Sequence, residues 1–162
     1  EADASVGGIY RRFANKKQLL RAIKDNVLTR ADAMHRNIAA YKAKNLADAI
    51  EHYARSRIEA LTTYADILKK ILDAQQGDAV MQNRGRQSVQ LGLRSFRSII
   101  APFRAEITHS DPELAIELAF YVFNAAVLRK VAGYSSDTIF ERLDWAVLKN
   151  ELALVVLRYL RG

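Results

Sequence analysis

The stretch Ser5-Val6-Gly7-Gly8-Ile9-Tyr10-Arg11-Arg12-Phe13-Ala14-Asn15-Lys16-Lys17-Gln18-Leu19-Leu20 decides how the rest of the chain is read. Val6, Ile9, Tyr10 and Phe13 follow the i, i+3, i+4, i+7 spacing of one buried helical stripe, and Gly7, Gly8, Arg11 and Arg12 fall outside it. Asn15 then reads as a helix N-cap, with Gln18 three residues on to complete a capping box, and Leu19, Leu20 and Ile23 open the next apolar stripe. A short helix and a longer one therefore meet across Phe13-Ala14-Asn15.

The outer face of this pair is small at its start and basic at its end, which suits close approach to a polyanion. Glycine lets backbone come near, Arg and Lys neutralise phosphates, and the N-terminus of the second helix favours an anion beside Lys16. A merely solvated basic helix pair is the plainer alternative. The charge of the chain is lopsided in the same sense. Of the net +7, residues 1–45 supply +6, with ten Lys and Arg against four Asp and Glu, and the remainder is almost neutral.

The string resembles the second half of the helix-turn-helix of the TetR/AcrR family of bacterial transcriptional regulators. There a small-residue turn precedes a short recognition helix with a Tyr, then an aromatic, then a Lys opening the next helix. The corresponding residues are Ser5-Val6-Gly7-Gly8, Tyr10, Phe13 and Lys16. The resemblance implies DNA-backbone contacts from Tyr10, Arg12 and Lys16, with Ser5 donating from the turn. Base reading would fall to Val6, Gly7, Gly8 and Arg11. The chain opens at Glu1 without the two helices that should precede the turn, so it is expected to be a trimmed form of a longer protein, with part of its DNA specificity in the missing segment.

Beyond this stretch the pattern is all-α. Two domains are expected: 1–44, a partial helix-turn-helix domain with its recognition helix at about 5–13 and the following helix from 16, and 45–162, a helical effector-binding and dimerisation domain. From Lys16 to about Ala43 the apolar residues recur by threes and fours, giving one helix roughly 40 Å long that can act as a lever between a DNA-facing end and a body. Asn45 caps the next helix, whose stripe runs from Leu46 to Leu61, and a shorter one from Tyr64 stops near Gln76-Gly77-Asp78. A long helix covers about Ala79 to Ile107 with Val89, Leu93, Phe96, Ile100 and Phe103 inward; Gly85 and Gly92 weaken it and Pro102 bends or ends it.

Ser110-Asp111-Pro112-Glu113 is a strong helix start, and the helix it opens, to Ala132, is apolar nearly all round. Gly133 ends it, Ser136 caps the next, and residues 139–160 are again too apolar for one-sided burial. Two such helices imply a homodimer through about 111–132 and 137–160, matching the TetR-like use of the last two long helices. The two-fold axis would then present two recognition helices to a palindromic operator.

An effector pocket, implied by the resemblance, would draw on Tyr64, Phe96, Phe103, Tyr121, Phe123 and Asn124, a single amide among apolar groups being enough to orient a ligand. His35, His52 and His109 lack metal-ligand spacing and read as surface histidines; Arg84, Arg86, Arg94, Arg97 and Arg104 read as a solvated face. There are no cysteines, which excludes disulfides and thiolate chemistry, and no run of about 18 apolar residues for a membrane span. A cytoplasmic location is expected. No nucleophile–base pair, phosphate loop or metal cluster points to an enzyme, and no cofactor is expected. The function expected is a TetR-type regulator, in most cases a repressor released by a small-molecule effector. The alternative is a helical homodimer that acts through protein contacts alone.

Overall fold

The computed structural model describes residues 12–74, 78–133 and 142–162, and among these every regular element is helical. The elements are α1 (Lys16–Ala40), α2 (Leu46–Thr63), α3 (Ala65–Ala74), α4 (Ala79–Ile100), a 3-10 turn (Ala101–Glu106), α5 (Pro112–Ala132) and α6 (Trp145–Arg161).

Capping chemistry sets most of the boundaries. Asn15 Oδ1 accepts from Gln18 N at 2.9 Å as expected from the sequence, while Gln18 Oε1 reaches one residue past the cap and accepts from Ala14 N at 3.1 Å, a variant of the expected box. Asn45 caps α2 through Asp48 N, Asp111 caps α5 through Leu114 N with Pro112 in its first turn, and Gly133 closes α5 at φ 60°. Pro102 lies just beyond Ile100, where α4 gives way to the 3-10 turn.

Four details differ from expectation. α1 stops at Ala40 rather than Ala43, because Tyr41 turns extended and lays its ring flat on His52, centroids 3.7 Å apart. Tyr64 is the break after α2, and α3 begins at Ala65. Val89 stays 42% exposed because it lines a cavity rather than packing in the core. A capped start at Asp144, whose side chain accepts from Ala146 N, divides the helix read as continuous over 139–160; the cap placed at Ser136 lies outside the described residues.

The main core gathers α2, α4, α5 and α6 around Tyr53, Phe96, Phe120 and Phe123, all at most 2% exposed, with Tyr53 to Phe96 centroids 4.7 Å apart. A smaller cluster of Val27 and Met81 joins α1 to α4 nearer the N-terminal end. The α1–α4 seam is otherwise polar. Arg21 grips Asp78 through Nε and Nη2 at 2.9 and 3.1 Å, Lys24 Nζ donates to Met81 O, and Arg84 bridges Asp25 and Asp32 at 3.2 and 2.7 Å. The opposite end is closed by the N–H groups of Thr108 and His109 on Leu160 O and by the Arg161–Glu106 ion pair at 2.6 Å.

α5 and α6 pack together yet keep apolar side chains in solvent. Leu114, Leu118, Tyr121 and Val122 on α5 are 43–57% exposed, and Val147, Leu154 and Val155 on α6 are 39–52% exposed. The surplus apolar surface read from these two segments is therefore present on the folded chain.

Candidate functional site

Where the two core clusters end, α1, α2, α3, α4 and α5 leave a cavity of about 810 Å³ between them. That volume is in the range of small-molecule sites, roughly 300–1,000 Å³. Its walls are mostly apolar: Val27, Leu28 and Ala31 from α1, Leu61 from α2, and Phe120 and Leu128 from α5.

Two of the polar groups that enter the cavity are fixed by neighbours behind them. On one side, Arg57 Nε and Nη2 donate to Asn124 Oδ1 at 3.2 and 2.7 Å, while Asn124 Nδ2 donates to the Tyr53 hydroxyl at 3.0 Å and to Phe120 O at 2.7 Å. Both amide hydrogens are used, so the amide cannot turn without losing bonds and the guanidinium is held in place. Burial of Tyr53 pushes its hydroxyl pKa up.

On the other side, His35 is 2% exposed, and its Nδ1 lies 3.2 Å from Ser95 Oγ. The Ser95 hydroxyl donates to Gly92 O at 2.9 Å, so His35 must be the donor from Nδ1 and carries its lone pair on Nε2. Burial, then the nearby charge of Arg57, lowers the His35 pKa to about 3, and the ring is neutral at physiological pH. His35 is thus a cavity-wall residue and not the surface histidine its sequence context implied. The close fit depends on Gly92, where a Cβ would stand 2.9 Å from His35 Cε1 and 3.2 Å from Phe120 Cζ.

The charge of the lining is one-sided. Lys24, Arg30, Arg57 and Arg86 contribute to it, and among the described lining residues there is no Asp or Glu. Arg30 donates to the Tyr64 hydroxyl at 2.9 Å and to Asn26 Oδ1 at 3.1 Å, both uncharged partners.

Of the six residues read as pocket candidates, Tyr64, Tyr121 and Asn124 line the cavity. Phe96 and Phe123 are each 1% exposed and pack on Tyr53, so they are core, and Phe103 sits in the 3-10 turn against that same core, outside the lining. The sequence reading missed His35 and Arg57. Both carry a legible signal: Arg57 falls on the stripe between Tyr53 and Leu61, and His35 between Val27, Ala31 and Ile38, so each is a polar residue where the helical period demands burial.

Of the DNA-facing candidates, Ser5, Val6, Gly7, Gly8, Tyr10 and Arg11 lie outside the described residues; Arg12 and Lys16 are exposed. Lys16 opens α1 directly after the Asn15 cap. Some of the neighbouring basic residues serve the fold instead: Arg21 and Lys17 both approach Asp78, and Lys24 is buried in the seam. The second basic set is only partly a solvated face, since Arg84 is bound to α1 and Arg97 and Arg104 pair with Glu117 and Glu113 at 3.0 Å each. Comparison of the chain with family models, with curated proteins and with solved structures finds no match.

Proposed function

We propose that this chain is a TetR-type transcriptional regulator: dimeric, cytoplasmic, without catalytic chemistry, and most simply a repressor released from a palindromic operator by a small molecule. The observation that carries this reading is the position of the cavity against α1. The residues of α1 that line it run from Lys24 to His35, and the same helix begins at Lys16, about 12 Å upstream, directly after the basic opening of the chain. A ligand pressing on one stretch of a capped helix is coupled to the stretch that would lie on phosphate.

Coupling of this kind requires unequal affinity for two states. A ligand that fits the cavity best when α1 takes one tilt favours that tilt, and by linkage DNA that prefers the other tilt weakens ligand binding by the same factor. The polar seam between α1 and α4 suits such a shift better than an interdigitated apolar one, since ion pairs re-form after a small displacement.

The test is salt-titrated binding to duplex from upstream of the protein's own coding sequence. A sequence preference over random duplex is expected. Lys16→Ala should weaken binding to all duplexes alike and reduce the slope of log K against log salt by about 1. A loss confined to one sequence would sink the phosphate role of Lys16. The exposed apolar residues of α5 and α6 also favour a second reading, a homodimeric protein-interaction module, which the absence of any operator preference in this assay would select.

A further inference from the structure

We infer that the cavity takes an amphiphilic organic anion, with its acid head on the Arg57 guanidinium and its apolar body along the α1, α2 and α5 walls. The ligand class deepens the proposed effector role, on which only its regulatory meaning rests.

The charge inventory points to the sign of the ligand. Arg30, Arg57 and Arg86 line the cavity, and there is no Asp or Glu among its described lining residues. Arg57 is the one fixed deepest in the polar network: its two described bonds go to a neutral amide, and that amide is locked by Tyr53 and by Phe120 O. A partly buried guanidinium without a counter-charge is costly, and an incoming oxyanion offsets that cost. The pKa of His35, lowered first by its burial, is lowered further by the charge of Arg57.

The walls point to the rest of the molecule. Leu28, Ala31, Leu61, Phe120 and Leu128 make the α1, α2 and α5 walls apolar, which suits an apolar body. Guanidinium also matches a carboxylate better than a point charge does, because it presents a planar fork. Asn124 takes the Nε/Nη2 edge and so holds the guanidinium plane before the ligand arrives, with the Nη1/Nη2 edge left for the carboxylate and little ordering to oppose binding.

The test uses decanoate, decanol and decylamine as probes, titrated calorimetrically into the wild-type protein and into Arg57→Gln. Decanoate is expected to bind wild type about 10- to 100-fold more tightly than decanol, the range of a charge-assisted hydrogen bond, with decylamine weakest. In Arg57→Gln the decanoate advantage should vanish while decanol binding stays, which also certifies that the variant is folded. Equal affinity of decanoate and decanol for wild type overturns the inference, as does binding of none of the three, and neither result depends on any variant folding. A decanoate preference that survives in Arg57→Gln overturns it too. Arg86→Gln, at an exposed position on the lining, is the control expected to keep most of the preference. Operator binding measured on the same preparations separates the two proposals: Arg57-dependent decanoate binding without operator preference upholds the ligand class and defeats the regulator.

Discussion

Gly85 and Gly92, about two turns apart on α4, respond oppositely to an added methyl group. At Gly92 a Cβ meets His35 and Phe120 at 2.9 and 3.2 Å, so Gly92→Ala is expected to cost about 1–3 kcal/mol through overpacking. At Gly85 the nearest atom is the flexible Lys24 Nζ at 3.6 Å, and Gly85→Ala should stabilise by up to about 1 kcal/mol because alanine is the better helix former. Urea midpoints should therefore move in opposite directions; a shared direction would refute the packing assignment at Gly92. His35 makes a second residue-scale prediction. Its pKa is near 6.5 unfolded and about 3 folded, so between these values the unfolded chain binds more protons and stability falls as pH drops. The slope should approach about 1.4 kcal/mol per pH unit and flatten in His35→Leu, which leaves Ser95 donating to Gly92 O. Asp78, held below the usual carboxylate range by Arg21, adds its own loss of stability as pH falls below about 3.8, so the slope above that value isolates His35. At this scale the site was half legible. Asn124 stood out as an amide in an apolar run, whereas His35 and Arg57 resembled the many polar residues around them until their helical phase was counted.

Elements were legible where local chemistry decides them. Asn15, Asn45 and Asp111 cap as read, and Gly133 takes the left-handed conformation that ends α5, because each of these signals acts within one turn of chain. Elements were misread where a tertiary contact outbids the period. Tyr41 leaves α1 to stack on His52 and to bond Asp48, and Val89, on the stripe of Phe96 and Ile100, lines the cavity and stays 42% exposed. The α1–α4 pairing was equally hidden, since nothing in a single sequence pairs Arg84 with Asp25 and Asp32 across more than fifty residues. That ion pair belongs to the element scale because it fixes the register of one helix on another. In a double-mutant cycle of Arg84→Ala and Asp32→Ala, a coupling of about 0.5–1 kcal/mol is expected, reduced at high salt, given that Arg84 is 26% and Asp32 19% exposed. A coupling indistinguishable from zero would mean that this ion pair does not fix the register of α1 on α4.

For the whole molecule, the charge asymmetry divides into two parts. Of the ten basic residues before position 46, Arg21, Lys24 and Arg30 are engaged with α4, the cavity or Tyr64, while Arg12, Lys16, Arg36, Lys42 and Lys44 remain exposed. Part of the surplus that a bare count assigns to a polyanion thus lines the cavity. The apolar surplus at the other end was legible in the sequence and is physically present, because α5 has too few polar positions to form a wet face. Its exposed side chains recur as Leu114, Leu118, Tyr121 and Val122, on neighbouring turns of one face, and Tyr121 lines the cavity as well. A second copy seated on this face would therefore bear on the cavity as well as hide apolar surface. Leu118 is 43% and Val122 46% exposed in the single chain, so replacing either by Glu places a charge in water and should leave the monomer's melting temperature nearly unchanged. In a two-fold interface the same charge meets its own copy near the axis and is desolvated, which costs several kcal/mol and should shift the species seen by sedimentation velocity from dimer to monomer. Helical circular dichroism must be retained for the result to count. A dimer that survives Leu118→Glu and Val122→Glu together would remove α5 from the interface.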